Sequence, residues 1–301
     1  MKTYRIYQVD AFTKELFRGN PAGVVTNAEG LSEAQMLAIA RELNNSETAF
    51  VLPAEGDDHD IRVRFFTPTM EVPLCGHATV STHYVRALEE GMDTCRVVQK
   101  TGAGLIPVDI VKQADGDYAI TMTQGAISIG ETFAPELVEE IARALGFGPE
   151  RIRSDCPVCI ASTGYGKVMV AIDSNELLHS LKPDNAALVA ISKKIGCNGY
   201  YVFTVNPGQE DLVHGRMFSP AGGIPEDPVT GNANGPLGAY LVHFGLCQEG
   251  VEDHFSFQIV QGEAMGRAGR MQVDVDIVDG KPVLVKLTGA AVVAFSAQIE
   301  I

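Results

Sequence analysis

Cationic residues, cysteines and long apolar runs are all scarce in this 301-residue sequence. Lysine and arginine total 23 against 38 aspartates and glutamates, a formal net charge of −15. Binding a polyanion through counterion release needs clustered cations, so charge argues against a nucleic-acid partner. A small anionic substrate is still allowed, because backbone dipoles can hold one without lysine or arginine. Six cysteines make no disulfide scaffold, and in a reducing compartment they stay thiols. Cys156 and Cys159 form one CPVC pair. Without a second Cys or His pair this is a weak zinc motif, and two thiols beside a strand start is the favoured reading. No apolar stretch reaches membrane-spanning length. The opening "MKTYRIYQVDAF" alternates like a strand and lacks the apolar run of a signal peptide. A soluble, cytoplasmic protein with no membrane partner is expected. Apolar residues make up 46% of the chain, enough for a full core, and the length suits two domains or one large one.

The most informative feature is an internal duplication, which mis-sets the whole fold if missed. Arg64-Phe65-Phe66-Thr67-Pro68 resembles Arg216-Met217-Phe218-Ser219-Pro220, 152 positions on. Glu71-Val72-Pro73-Leu74-Cys75-Gly76-His77-Ala78 resembles Glu226-Asp227-Pro228-Val229-Thr230-Gly231-Asn232-Ala233, 155 positions on. Upstream, "AIAREL" from Ala38 matches "AISKKI" from Ala190, and each leads into a strand, "ETAFVL" or "GYYVFTV". The turn "FRGNPAGVV" from Phe17 is loosely echoed by "STGYGKVMV" from Ser162. Four matches in one order give two units: residues 1–125 and 126–287, with the closing strand 288–301 packing back on the first. Strands such as "DYAITMT" and "MQVDVDIV" alternate. Helical patterns occur at "SEAQMLAIAREL", "ATVSTHYVRALEE", "PELVEEIARALG", "NAALVAISKKI" and "ANGPLGAYLVHFG". Asp115-Gly116 and Asp279-Gly280 read as hairpin turns. The pattern is α+β, with largely antiparallel sheets.

A duplicated protein offers equivalent loops to one ligand, here Cys75-Gly76-His77 and Thr230-Gly231-Asn232. Each precedes a helix, whose free N–H groups and partial positive charge suit a carboxylate. Glycine lets a ligand approach the backbone. Plain helix starts are the alternative. Catalysis is sought where the duplication broke its symmetry: Glu47 faces Gly199 in the alignment, Val72 faces Asp227, His77 faces Asn232 and Cys75 faces Thr230. Glu47 opens a strand beside Ala49, Phe50 and Val51, a setting for proton shuttling; an isolated surface glutamate is the plainer reading. Asp227, or Glu226 with it, is presented on a loop. His77 either contacts substrate, pairs with Asp227 or caps its helix. Cys75 and His77 are two residues apart on one turn, a spacing not expected to align thiol and imidazole as nucleophile and base. Two ligands are too few for a metal. A two-thiol racemase needs a second thiol where Thr230 stands.

The set "FRGNPAGVV", "NSETAFV", "RFFTP…VPLCGHAT" and "GRMFSPAGGIPEDPVTGNANG" resembles the PhzF-like family, in the diaminopimelate-epimerase-like superfamily, and its form is similar to the YddE-type bacterial members. The resemblance implies two lobes, each a curved, mostly antiparallel sheet wrapped around a central helix, with the active site in the cleft between them. Members of that family need no cofactor and are often homodimers, so a cofactor-free homodimer is expected, and with two ligands in view no metal is. In the phenazine enzyme a glutamate moves a proton between carbons of a dihydro-hydroxyanthranilate. By motif that glutamate is Glu47, with His77 and Asp227 as its catalytic partners. The substrate carboxylate would meet the backbone at Gly76 and Gly231. Asn232 stands where the phenazine enzyme has Ser, so a different substrate is expected. The resulting expectation is a cofactor-independent isomerase of a small carboxylate. Its rivals are an epimerase or racemase of an amino-acid-like substrate, a non-catalytic carboxylate-binding protein, and a Cys75-dependent hydrolase.

Overall fold

The computed structural model describes residues 1–206, 211–247 and 251–301. Along the chain come β1 (Thr3–Ala11), β2 (Asn20–Val25), α1 (Glu33–Leu43), β3 (Thr48–Pro53), β4 (Ile61–Phe66), β5 (Glu71–Val72), α2 (Gly76–Glu90), β6 (Cys95–Thr101), β7 (Gly104–Lys112) and β8 (Tyr118–Thr123). Next are β9 (Ser128–Ile129), α3 (Pro135–Leu145), β10 (Cys159–Ser162), β11 (Lys167–Ala171), α4 (Asn175–Ser180), α5 (Asn185–Ile195), β12 (Tyr200–Val205), β13 (Asp211–Ser219) and β14 (Ile224–Asp227). Then follow α6 (Gly231–His243), β15 (His254–Gln261), β16 (Gly269–Val278), β17 (Lys281–Gly289) and β18 (Ala291–Glu300). Two compact units result, residues 1–123 with 288–301, and residues 124–287.

Local chemistry accounts for the helix boundaries. Ser32 and Gln35 form a reciprocal capping box that starts α1, and Asn44 ends it in the left-handed region at φ 53°. Pro135 opens α3, and Gly146 closes it. Asp184 caps α5 by accepting from the amides of Ala186 and Ala187. The six-residue α4, capped by Ser174, was not expected; one and a half turns are too short to show a helical period. The Asp279-Gly280 turn has both residues at positive φ, 50° and 72°, as a tight hairpin of the primed type requires.

The duplication extends to strand register. In the first unit β2 and β3 run parallel, β3 pairs antiparallel with β4 so that Thr48 faces Phe66, and β4 runs parallel to β6. In the second, β11 and β12 run parallel, Tyr200 faces Phe218 across the antiparallel β12–β13 pair, and β13 runs parallel to β15. Both duplicated arginines sit alike. Arg64 grips Glu71 through two nitrogens, and its guanidinium lies 5.0 Å from the Phe66 ring centre. Arg216 grips Glu226 in the same fork and lies 4.9 Å from Phe218. Such bidentate pairs fix geometry as well as adding energy, and each one pins the strand that leads into a glycine loop.

Each unit wraps its sheet around one helix. In the first, α2 packs on β1, β2, β3, β7, β8 and β18, and every position from His77 to Ala87 except Arg86 is buried. A helix buried on all faces is a core element, not a surface one. In the second, α6 packs on β10, β11 and β16, with Leu237, Tyr240 and Leu241 fully enclosed. Strand β18 pairs antiparallel with β1, Thr3 facing Glu300. The strands alternate as the sequence indicated, β8 and β16 burying every second residue. Among the described residues no helix is long and apolar enough to cross a membrane.

Candidate active site

Glu47 is presented by a short, braced connection. After the left-handed Asn44, the side-chain amide of Asn45 exchanges two hydrogen bonds with that of Gln8, at 2.8 and 2.9 Å. The Glu47 carbonyl accepts from the Gly23 amide, and β3 begins at the buried Thr48. Ser46 and Glu47 are thereby held at the mouth of the first unit's central helix. The Glu47 Oε2 atom lies 3.4 Å from His77 Nε2, and Ser46 Oγ lies 3.3 Å from the same nitrogen. His77 is only 7% exposed.

The other imidazole nitrogen, Nδ1, lies 3.4 Å from Cys75 Sγ. This corrects the expectation that two residues on one turn would not align. Cys75 is the extended N-cap (φ −143°, ψ 121°) and the helix begins at Gly76, so the backbone turns a corner between the two side chains. Cys75 makes no side-chain cap to the helix, and the first turn of α2 carries no acidic residue. A Cβ built on Gly76 would meet nothing within 4 Å. The space beside Gly76 is therefore open, and a helix start is an arrangement that can receive an anion.

Buried polar residues brace this loop from below. Thr79 Oγ1 donates to the Cys75 carbonyl at 2.8 Å, Gln99 Nε2 donates to Thr79, and His83 Nε2 donates to Gln99 Oε1 at 3.0 Å. Burial pulls the His83 pKa down to about 4, so the ring is neutral near pH 7. Sequence reasoning did not single out these residues. The available signal was phase: Gln99 sits between Val97 and Thr101 on the inward face of β6.

The second unit repeats the device with different atoms. Asp227 is 8% exposed and accepts from the Thr230 hydroxyl. Glu226, one residue earlier on β14, is held by Arg216, so Asp227 is the carboxylate turned toward the loop. Gln261, wholly buried, accepts from the Thr230 amide and Asn234 Nδ2, and donates to the Asp227 carbonyl at 2.8 Å. Asn234 bonds the Thr230 carbonyl as Thr79 bonds that of Cys75, and Tyr201 holds Asn234 in turn. Gly231 starts α6 and is buried, with Leu287 Cδ1 3.2 Å from the position of a Cβ; Asn232, next to it, is exposed. The structure thus gathers Glu47, His77 and Gly76 in one unit, and Asp227, Gly231 and Asn232 in the other.

Among the described residues, two groups have the donors and spacing to hold a metal. Glu47, Cys75 and His77 offer ligand atoms within 4.8 Å of one another, which adds a third ligand to the two visible in the sequence. His179, His214 and Glu263 do the same, the two rings bonding one Glu263 oxygen and holding its pKa below the usual value. The CPVC thiols join neither group. Burial pushes both Cys156 and Cys159 up to about 11, leaving them protonated and inert.

The comparisons with known proteins agree with this architecture. The profile of the family described as phenazine biosynthesis-like protein matches residues 9–297. The Escherichia coli K12 protein named uncharacterized isomerase YddE is 48% identical over 299 residues, covering 98% of this chain and 97% of its own. The Pseudomonas aeruginosa trans-2,3-dihydro-3-hydroxyanthranilate isomerase is 32% identical over 273 residues, 89% of each chain. A crystal structure of the Bacillus anthracis phenazine biosynthesis protein, PhzF family, superposes with a TM-score of 0.89 at 33% identity, covering 100% of both chains. The chain belongs to the phenazine biosynthesis-like (PhzF-like) family, and it is an isomerase.

Proposed function

We propose that this isomerase moves a proton between carbons of a small carboxylate without a cofactor, with Glu47 as general acid and base. The observation that carries the reading is the contact of the Glu47 carboxylate with His77 beside an uncapped helix start. The amides at Gly76 would hold the substrate carboxylate and fix an acidic C–H bond near Glu47. His77 would orient the carboxylate of Glu47 and share its proton. Placement within hydrogen-bond reach is the first requirement of a general base. That Asp227, Gly231 and Asn232 serve the same substrate rests on the duplication and on the family. The Asn232 side chain, where the phenazine enzyme has Ser, supports a substrate other than the one named for the Pseudomonas relative. A cytoplasmic homodimer is part of the same proposal.

The test is a panel of small carboxylates incubated with the protein in deuterated water. Mass spectrometry reports which compound gains deuterium, and NMR reports whether the label sits at a new carbon. Label at a new carbon supports positional isomerisation; label at the same carbon with inverted configuration supports an epimerase instead. Binding without label would favour a carboxylate-binding protein. The closeness of Glu47, Cys75 and His77 carries a metal-assisted second reading. Dialysis against EDTA separates the two, since proton transfer by Glu47 alone survives it.

A further inference from the structure

His179, His214 and Glu263 lie wholly within the second unit and come from three separate elements. His179 is on α4, His214 is on β13, and Glu263 opens a single 3-10 turn, Glu263–Met265, after β15. His179 and Glu263 are 84 positions apart in the chain. Even so, His179 Nε2 lies 3.1 Å and His214 Nδ1 2.7 Å from one oxygen, Glu263 Oε2. All three ligand atoms fall within 4.8 Å of one another. Two ligands bound to zinc at about 2.0–2.1 Å, at a tetrahedral angle, stand about 3.3 Å apart. The donors are thus already near ligand spacing, and an ion takes the place of the hydrogen bonds with small side-chain shifts.

The backbone under each ligand is braced. Arg216, two residues beyond His214 and on the same face of β13, donates to the carbonyls of Leu178 and Leu181 at 2.9 and 3.1 Å. It thereby holds the end of α4 that carries His179. Glu263 follows Gly262, whose φ is 91° and where a Cβ would stand 2.5 Å from the Arg267 carbonyl oxygen and 2.8 Å from that of Pro228. The site is also accessible. The His179 and Glu263 side chains are 39% and 32% exposed, against 14% for His214. Solvent reaches the group past His179 and Glu263, with His214 at its floor, so an ion has a way in and water completes its coordination. Two imidazoles and one carboxylate suit zinc and its transition-metal neighbours, whereas magnesium and calcium favour sets made of oxygen.

We propose that His179, His214 and Glu263 form a binding site for a divalent transition metal of the zinc class, which clamps α4 and the turn after β15 onto β13. Gln261, two residues before Glu263, holds the Thr230 amide and the Asp227 carbonyl. The ion therefore steadies the segment that braces the second glycine loop. Its ligands are separate from Glu47, Cys75 and His77, and the inference does not depend on the role of Glu47.

Zinc, magnesium and cobalt(II) salts serve as probes, added to full-length protein that has been stripped with a chelator and dialysed free of it. By calorimetry, wild type is expected to bind zinc at least about a hundredfold more tightly than magnesium, and zinc should raise its urea midpoint. His179→Ala alters a partly exposed side chain and is expected to fold. It and Glu263→Gln should each weaken zinc binding at this site at least about tenfold, since even outer-shell losses cost about 10- to 100-fold, and should abolish the rise in midpoint. Cobalt spectra separate this site from the cysteine-containing group, because thiolate ligation adds an intense sulfur-to-metal band in the near ultraviolet. Cobalt absorption without that band should vanish in His179→Ala and persist in Cys75→Ser. Zinc binding to wild type no tighter than that of magnesium overturns the site and leaves a hydrogen-bonded cluster. Undiminished zinc binding in both His179→Ala and Glu263→Gln overturns it, as does a cobalt spectrum that disappears entirely in Cys75→Ser.

Discussion

His77 is held between Glu47 and Cys75, its Nε2 3.4 Å from the carboxylate and its Nδ1 3.4 Å from the thiol. One imidazole thus touches both groups that could carry chemistry in the first unit. The duplicate of the thiol is Thr230, which spends its hydroxyl on Asp227. On the proposed reading the thiol only orients the ring. Cys75→Ser is expected to retain deuterium exchange to within about tenfold, while His77→Ala loses on the order of 10²-fold, typical of a lost acid–base partner. Exchange rates of the two purified variants check this, and inactivation of Cys75→Ser to the level of His77→Ala would favour the hydrolase-like reading of the cysteine.

Gly199 and Gly76 make opposite predictions for the same substitution. Gly199→Ala drives a methyl into the Lys167 chain at 2.4 Å and should cost about 1–3 kcal/mol, the usual range for overpacking. Lys167→Ala in the same protein should recover most of that loss. Gly76→Ala meets open space and should fold with unchanged stability, yet impair carboxylate binding by crowding the helix start. Urea midpoints of the single and double variants, with calorimetry on Gly76→Ala, decide each point.

The buried glutamines are not equivalent. The Gln261 side chain has bonds to Thr230, Asn234 and Asp227, whereas among the described residues the Gln99 side chain bonds His83 and Thr79. Gln261→Leu strands more buried donors and acceptors, and should cost about 3 kcal/mol or more against about half that for Gln99→Leu. Denaturant titrations that reversed this order would contradict the assigned networks.

His83 gives the fold an acid dependence with a defined sign. Its folded-state pKa is lowered to about 4 from 6.5 by burial. The unfolded chain takes up this proton as pH falls through 6.5, and the folded chain does so only near 4. Its contribution is full above pH 6.5 and is lost progressively down to about 4, roughly 3 kcal/mol across the window. Stability measured at several pH values should fall less steeply in His83→Gln than in wild type; equal slopes would contradict it.

Much of this fold was legible because the duplication repeats whole motifs, and because α1, α3 and α5 carry their own caps. The glycine loops could be found for the same reason: two copies point to what both units need, and their differences point to what one unit does. The Thr79–Gln99–His83 and Gln261–Asn234–Tyr201 networks could not be found this way. A buried glutamine on a strand reads like any polar residue until its partners, distant in sequence, are brought against it. The Cys75–His77 contact was misjudged because spacing alone does not show where a helix starts. The packing of Lys167 against Gly199 escaped notice because the two lie on neighbouring strands and are distant in the chain.

The most direct test of the central claim is the rate of proton exchange in Glu47→Gln. Glutamine keeps the size and hydrogen bonding of the side chain but cannot accept and return a proton. On whichever carboxylate the wild-type protein labels in deuterated water, Glu47→Gln should lose at least about 10³-fold in exchange rate while still binding the compound. Exchange at the wild-type rate would contradict the assignment of Glu47 as the base.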